Sequence, residues 1–169
     1  MRLFIAIGFP EPILDALSSL QEEMRAQGVD GNYTRRENLH LTLAFIGEYG
    51  NPDDVLDAME QAAFSPFSLR LEGVGSYREL FWAGVSSNEK LAGYVKRLRR
   101  ALSDEGIPFD RKRFSPHITL IRKASCRGGK GLPAANAPSG EMRVERISLM
   151  RSDRGKKGMI YTEIGSIGY

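Results

Sequence analysis

Apolar residues along this chain follow two rhythms. Short crowded runs predict strands, and recurrence every three or four positions predicts helices. The run Leu3 to Phe9 predicts a buried first strand. Ile13, Leu14, Leu17, Leu20 and Met24 then recur at helical spacing, predicting an amphipathic helix over residues 11–27 that Gly28 ends. A strand over about 39–46 follows, and Asn51-Pro52-Asp53 reads as a helix start with Val55, Leu56, Met59 and Ala63 on one face. Residues 67–74 and 79–86 alternate as two strands. Leu91, Tyr94, Val95, Leu98 and Leu102 mark a third helix, whose other face is basic through Lys96, Arg97, Arg99 and Arg100 and reads as solvated. A strand opens at His117. The Gly-, Pro- and Ala-rich stretch 128–140 predicts a long mobile loop, and strands near 142–151 and 158–165 close the chain as a hairpin around Ser152 to Gly158. The order is βαβαββαβββ, an α+β class.

Composition narrows this picture only a little. The length, 169 residues, suits one or two small lobes with a real core. The net charge of +3 permits an anionic partner without the dense basic stripe of a dedicated nucleic-acid binder. The lone Cys126 cannot form an internal disulfide, which agrees with a reducing, cytoplasmic setting. The first apolar run is too short for a signal peptide, and no stretch approaches transmembrane length, so no membrane role is expected.

The chemistry sits in the two histidines. One opens His40-Leu41-Thr42-Leu43 and the other His117-Ile118-Thr119-Leu120. With four threonines in the chain, chance would put one two places after both histidines about once in two thousand. Residues i and i+2 of a strand share a face, so each pattern presents a His and a Thr together and sends its apolar residues inward. If the strands lie near each other, two imidazoles and two hydroxyls converge on one cleft. Such a set suits metal-free phosphoryl transfer: a neutral imidazole takes a proton from water, and a protonated one gives a proton to the leaving oxygen. The hydroxyls donate to the non-bridging oxygens. Nothing resembles a nucleophile elbow, and no paired cysteines or HExxH pattern completes a zinc site. The symmetry leaves open which histidine is acid and which is base.

These frames resemble the paired HxTx motifs of the 2H phosphoesterase superfamily. Within it the chain most resembles the bacterial and archaeal RNA 2',3'-cyclic phosphodiesterases, also called 2'-5' RNA ligases. The likeness covers Arg2 to Ile7 as the opening strand, Glu37 to Gly47 around the first motif, Leu80-Phe81-Trp82, and Phe114 to Leu120 around the second. It implies a bilobal fold: one domain over 1–169, built of two pseudo-symmetric lobes, with two antiparallel sheets around a central cleft and helices outside. It implies His40 as proton donor and His117 as proton acceptor in opening a 2',3'-cyclic phosphate to a 2'-phosphomonoester, with O3' leaving. No metal or other cofactor is implied. The partner implied is RNA or a nucleotide with a 2',3'-cyclic phosphate or a 2'-5' linkage, met by a monomer, and the reverse reaction would make a 2'-5' bond.

Further candidates rank behind the motifs. Arg122, two places beyond the second motif, is assigned by alternation to the face of His117 and Thr119, where it would hold a phosphate. Tyr33, near where many relatives carry tryptophan, and Phe114 are candidates for stacking on a base, whereas Phe45 and Phe81 are expected in the core. Arg35, Arg36, Arg151, Arg154, Lys156 and Lys157 lie in or beside loops. Each alone reads as solvated, and together they could grip an RNA backbone. The rival reading is a non-catalytic RNA-end binding module using the same cleft.

Overall fold

The computed structural model describes residues 1–126 and 131–168. Their order is β1 (Arg2–Ile7), α1 (Glu11–Ala26), β2 (Val29–Tyr33), β3 (Leu41–Glu48), α2 (Pro52–Gln61), β4 (Phe67–Tyr77), β5 (Leu80–Val85), α3 (Glu89–Asp104), β6 (His117–Cys126), β7 (Glu141–Val144), β8 (Arg146–Gly155) and β9 (Gly158–Gly168), with a 3-10 turn at Arg36–Asn38. Two antiparallel sheets result, ordered β3-β1-β8-β9 and β2-β6-β5-β4-β7. α1 covers the five-stranded sheet through β2 and β6, while α2 and α3 cover the other through β8, β9 and β3. This is the expected α+β architecture of two sheets with helices outside. None of the described helices is long and apolar enough to cross a membrane.

Local chemistry explains the helix ends. The Asn51 side chain accepts from the Asp53 N–H at 3.1 Å, and Asn88 caps α3 in the same way through the Leu91 N–H at 3.1 Å. Pro52 fills the first turn of α2, where its missing N–H costs nothing. Gly28 takes φ +85°, which stops α1 where the sequence predicts.

Two expectations change. β2, Val-Asp-Gly-Asn-Tyr, carries no apolar rhythm, because as an edge strand it has only Val29 fully buried. The run expected as one strand over 142–151 breaks at Glu145: β7 joins β4 in the five-stranded sheet, and β8 lies beside β1. The closing turn is correspondingly tight, two residues (Lys156 and Lys157) between Gly155 and Gly158. Part of the expected 128–140 loop, residues 128–130, lies outside the described residues. Residues 131–140 have no regular structure, and Leu132 and Ala135 rest against the core.

Both motif strands carry a β-bulge at the same place. Ile5 pairs with Ala44 and Ala6 with Thr42, which leaves Leu43 as an extra residue in β3. Phe81 pairs with Ile121 and Trp82 with Thr119, which leaves Leu120 as an extra residue in β6. Each bulge directly follows the motif threonine and reverses the alternation beyond it. Leu43 and Ala44 are consecutively buried, as are Leu120 and Ile121. The next residues, Phe45 and Arg122, therefore join the threonines in lining one cavity. An unbroken β6 would have sent Arg122 away from His117, so the residue reaches the expected face through the bulge and not through alternation. Phe45, expected in the core, is 47% exposed for the same reason, while Phe81 is buried.

Candidate active site

His40 stands just before β3, and the residue two places earlier holds it. Its Nδ1–H donates to the Asn38 carbonyl at 2.6 Å. Asn38 is itself buried, and its side-chain amide donates to the Met159 carbonyl of β9 at 2.9 Å. The imidazole is flanked by Phe4, 5.0 Å between ring centroids, and by Tyr161, 5.4 Å away and edge-on at 88°. With Nδ1 committed to a carbonyl, the neutral ring keeps its lone pair on Nε2, which lies 2.7 Å from the Thr42 hydroxyl.

The second motif repeats this arrangement in a more open setting. His117 Nδ1–H donates to the Ser115 carbonyl at 2.9 Å, again two residues back, and leaves Nε2 free. The ring is exposed and sits 6.4 Å from Trp82. Around the bulge, the Leu120 carbonyl accepts from the Thr34 N–H at 2.9 Å and from Gln21 Nε2 at 3.0 Å. Gln21 reaches there from α1 and is buried. The Thr34 hydroxyl donates to the Thr119 carbonyl at 2.9 Å. The irregular strand segment that aims Arg122 is thus fixed by a polar clamp.

The two motifs meet. A cavity of about 160 Å³ is lined by His40, Thr42, His117, Thr119 and Arg122, with Thr34, Phe45, Leu80 and Tyr161. Tyr33 lies outside it, in an adjoining groove; its hydroxyl donates to the Val29 carbonyl at 2.6 Å and the Arg25 guanidinium lies 4.2 Å above its ring. Phe114 rests half-buried against the core and does not line the cavity. Among the described residues no three His, Cys, Asp or Glu side chains gather as a metal-ligand set would.

Burial is the main influence on His40 and lowers its pKa below the ordinary 6.5, with help from the positive charges of Arg122 and His117. The hydrogen bond to Asn38 opposes this. On balance these influences favour the neutral form of His40. An anion placed against Thr42 and Arg122 acts in the opposite direction, favouring the imidazolium.

Sequence reasoning missed Asn38, Tyr161, Thr34 and Phe45. Ser115 contributes only a backbone carbonyl, so its residue type carries no signal, and the side-chain amide that Asn38 adds to its carbonyl finds its partner at Met159, remote in sequence. Tyr161 reaches the site by the pairing of β9 with β8, which nothing local in its sequence announces.

Comparison with known proteins agrees with this geometry. A family model described as the 2'-5' RNA ligase superfamily matches residues 9–156. The RNA 2',3'-cyclic phosphodiesterase of Thermotoga maritima is 30% identical over 95% of this chain and 91% of its own length. The RNA 2',3'-cyclic phosphodiesterase of Thermus thermophilus is 32% identical over 96% and 87%. Among solved structures, the Thermus thermophilus protein TT0787 superposes with a TM-score of 0.82 at 30% identity, covering 99% of this chain and 97% of its own. Escherichia coli LigT in its apo form gives 0.80 at 26% identity, covering 99% and 96%.

Proposed function

Because the chain belongs to the 2'-5' RNA ligase superfamily, we propose that it is an RNA 2',3'-cyclic phosphodiesterase in which His40 and His117 act as acid and base across one phosphate. The observation that carries this reading is the convergence of both His–Thr pairs, with Arg122, on one small cavity. His117, its Nε2 free and its ring open to solvent, takes a proton from the attacking water. His40 gives a proton to O3' as the P–O3' bond breaks, and the phosphate remains on O2'. Thr42, Thr119 and Arg122 donate to the non-bridging oxygens, where negative charge builds in the transition state.

The buried setting of His40 fits the role of acid only with the substrate in place. The phosphate brings the negative charge that favours its imidazolium, so the acid is charged as the reactant arrives. The same groups run in reverse would join a cyclic end to a 5'-hydroxyl as a 2'-5' bond. Phe45, exposed beside the cavity, offers its ring to a base. The site is complete within one domain of two pseudo-symmetric lobes, one motif from each, which supports a monomeric enzyme. The lone Cys126 supports a cytoplasmic one.

The decisive experiment is incubation with adenosine 2',3'-cyclic phosphate in excess EDTA. Adenosine 2'-phosphate should accumulate, and His40→Ala and His117→Ala should each lose at least about a hundredfold in rate while remaining folded by circular dichroism. Full activity in either variant overturns the mechanism, a 3'-phosphate product overturns the proton assignment at the ribose, and binding without turnover by the wild type leaves a binding module in its place.

A further inference from the structure

The cavity between the histidines, about 160 Å³, holds a phosphate and part of a ribose, since pockets that enclose a whole small ligand span roughly 300–1,000 Å³. The rest of a substrate must lie in what adjoins it. Two large grooves share Arg122 and Tyr161 with the cavity, and a smaller pocket of about 220 Å³ shares His40 and Tyr161.

The grooves differ in chemistry. The one beside β3, about 600 Å³, presents Phe4 and Phe45 and sets Arg2, Arg122 and Arg154 against Glu48 and Asp110. The one beside the β2 edge, about 750 Å³, sets Arg25, Arg35, Arg122 and Lys157 against Asp30 alone. The first is nearly charge-balanced and aromatic, as a base would require. The second is strongly positive, as a phosphodiester backbone would require.

The basic residues near the motifs do not all belong to this surface. Arg36 is tied to α1 by Asp15 at 2.8 Å and by Glu11, and Arg151 is paired with Asp153 at 3.0 Å. Arg25 is paired with Glu22. Arg35 and Lys157 are exposed, form no ion pair with a described residue, and stand at the groove from two sides. Arg35 comes from the loop before the first motif, and its guanidinium lies against Gly158, where a Cβ would approach it to 3.3 Å. Lys157 comes from the tight β8–β9 turn. The turn and the loop thus close into one cationic rim around a groove that opens into the reaction cavity.

We propose that this groove is a subsite for the RNA strand leading into the cyclic end, with Arg35 and Lys157 contacting the first internal phosphate. The inference rests on the phosphodiesterase reading above. It implies a substrate that is a polynucleotide end, recognised one phosphate upstream of the reacting one, and a preference for length that the four motif residues do not provide.

The test compares adenosine 2',3'-cyclic phosphate with the dinucleotide ApA carrying the same cyclic end. The wild type should favour the dinucleotide by about tenfold in kcat/KM, mostly through KM, as befits two charge-assisted contacts. In Arg35→Ala/Lys157→Ala that preference should vanish, the mononucleotide serving as the reference because it lacks an internal phosphate. The slope of log KM against log salt for the dinucleotide should fall by about 0.7, one phosphate fewer neutralised. Lys96→Ala/Arg100→Ala, which removes equal charge from the outer face of α3, should leave the preference in place. Equal slowing of both substrates, or a preference that survives the groove variant, overturns the subsite. If the wild type turns over neither substrate, the phosphodiesterase reading falls. The groove is then judged separately by titrating a dinucleotide with a terminal 3'-phosphate, which the groove variant must bind more weakly than the wild type does.

Discussion

Replacing Asn38 by alanine should loosen the first histidine without removing any group that meets the substrate. The Asn38 amide is the donor that the Met159 carbonyl receives at 2.9 Å, and the same residue's carbonyl fixes the His40 ring at 2.6 Å. Alanine leaves a partly buried carbonyl without its partner, at a cost of about 1–3 kcal/mol. For a chain of this size that is a fall in Tm of roughly 3–10 °C, measurable by calorimetry. The segment Arg36–Asn38 also loses its tie to β9, so the imidazole is no longer held over the phosphate. Misplacement of a catalytic group by about 1 Å costs up to 10²-fold, so kcat on a 2',3'-cyclic nucleotide should fall roughly 10- to 100-fold with KM little changed. Asn38→Asp keeps the shape but turns a donor into an acceptor facing a carbonyl, and should be less stable than the alanine variant. An Asn38→Ala protein that loses stability but keeps the wild-type kcat would refute the claim that this residue positions His40.

Three further outcomes follow from the same geometry. Thr42→Val and Thr119→Val should each lower kcat by about 10²-fold with the fold intact, since each removes one donor to the developing oxyanion; steady-state kinetics with little change in either variant argues against their role. The lowered pKa of His40 makes the unfolded chain bind more protons than the folded one between the folded value and 6.5. Its contribution to stability is therefore full above pH 6.5 and is lost as the pH falls toward the folded value; urea unfolding from pH 8 to 5 should show this slope, which His40→Gln should flatten, and a slope of opposite sign would exclude the buried neutral form. Gln21→Leu should cost about 1–3 kcal/mol in the same assay, because the Thr34 and Leu120 carbonyls lose a shared donor.

The reaction chemistry was legible because catalysis constrains residue type: a histidine and a threonine two places apart must share a strand face, and these do. Helices were legible from rhythm and caps, as Asn51 and Gly28 show. What escaped was whatever depends on strand phase or partner. Phe45 was misplaced because a bulge at Leu43 cannot be read from a run of apolar residues that are all compatible with burial. Arg122 was placed on the correct face by an alternation that the strand does not obey. β2 was missed because an edge strand facing solvent needs no apolar alternation, and the break at Glu145 because two strands in different sheets can follow one another without a turn residue between them. Asn38 and Tyr161 act through pairing with β9, more than a hundred residues from the first motif.

The twin bulges have a consequence for how these strands can change. A substitution at Phe45 or Arg122 alters one side chain, and deleting Leu120 would remove the bulge yet leave Arg122 on its face, but pairing β6 evenly with Leu120 retained would turn every residue after it to the opposite face. A guanidinium would then point into the core, and a buried isoleucine would face the phosphate. Each strand is in effect a reading frame with a fixed phase after its threonine. The face that each later residue presents thus depends on where the bulge sits and not on the count of residues alone.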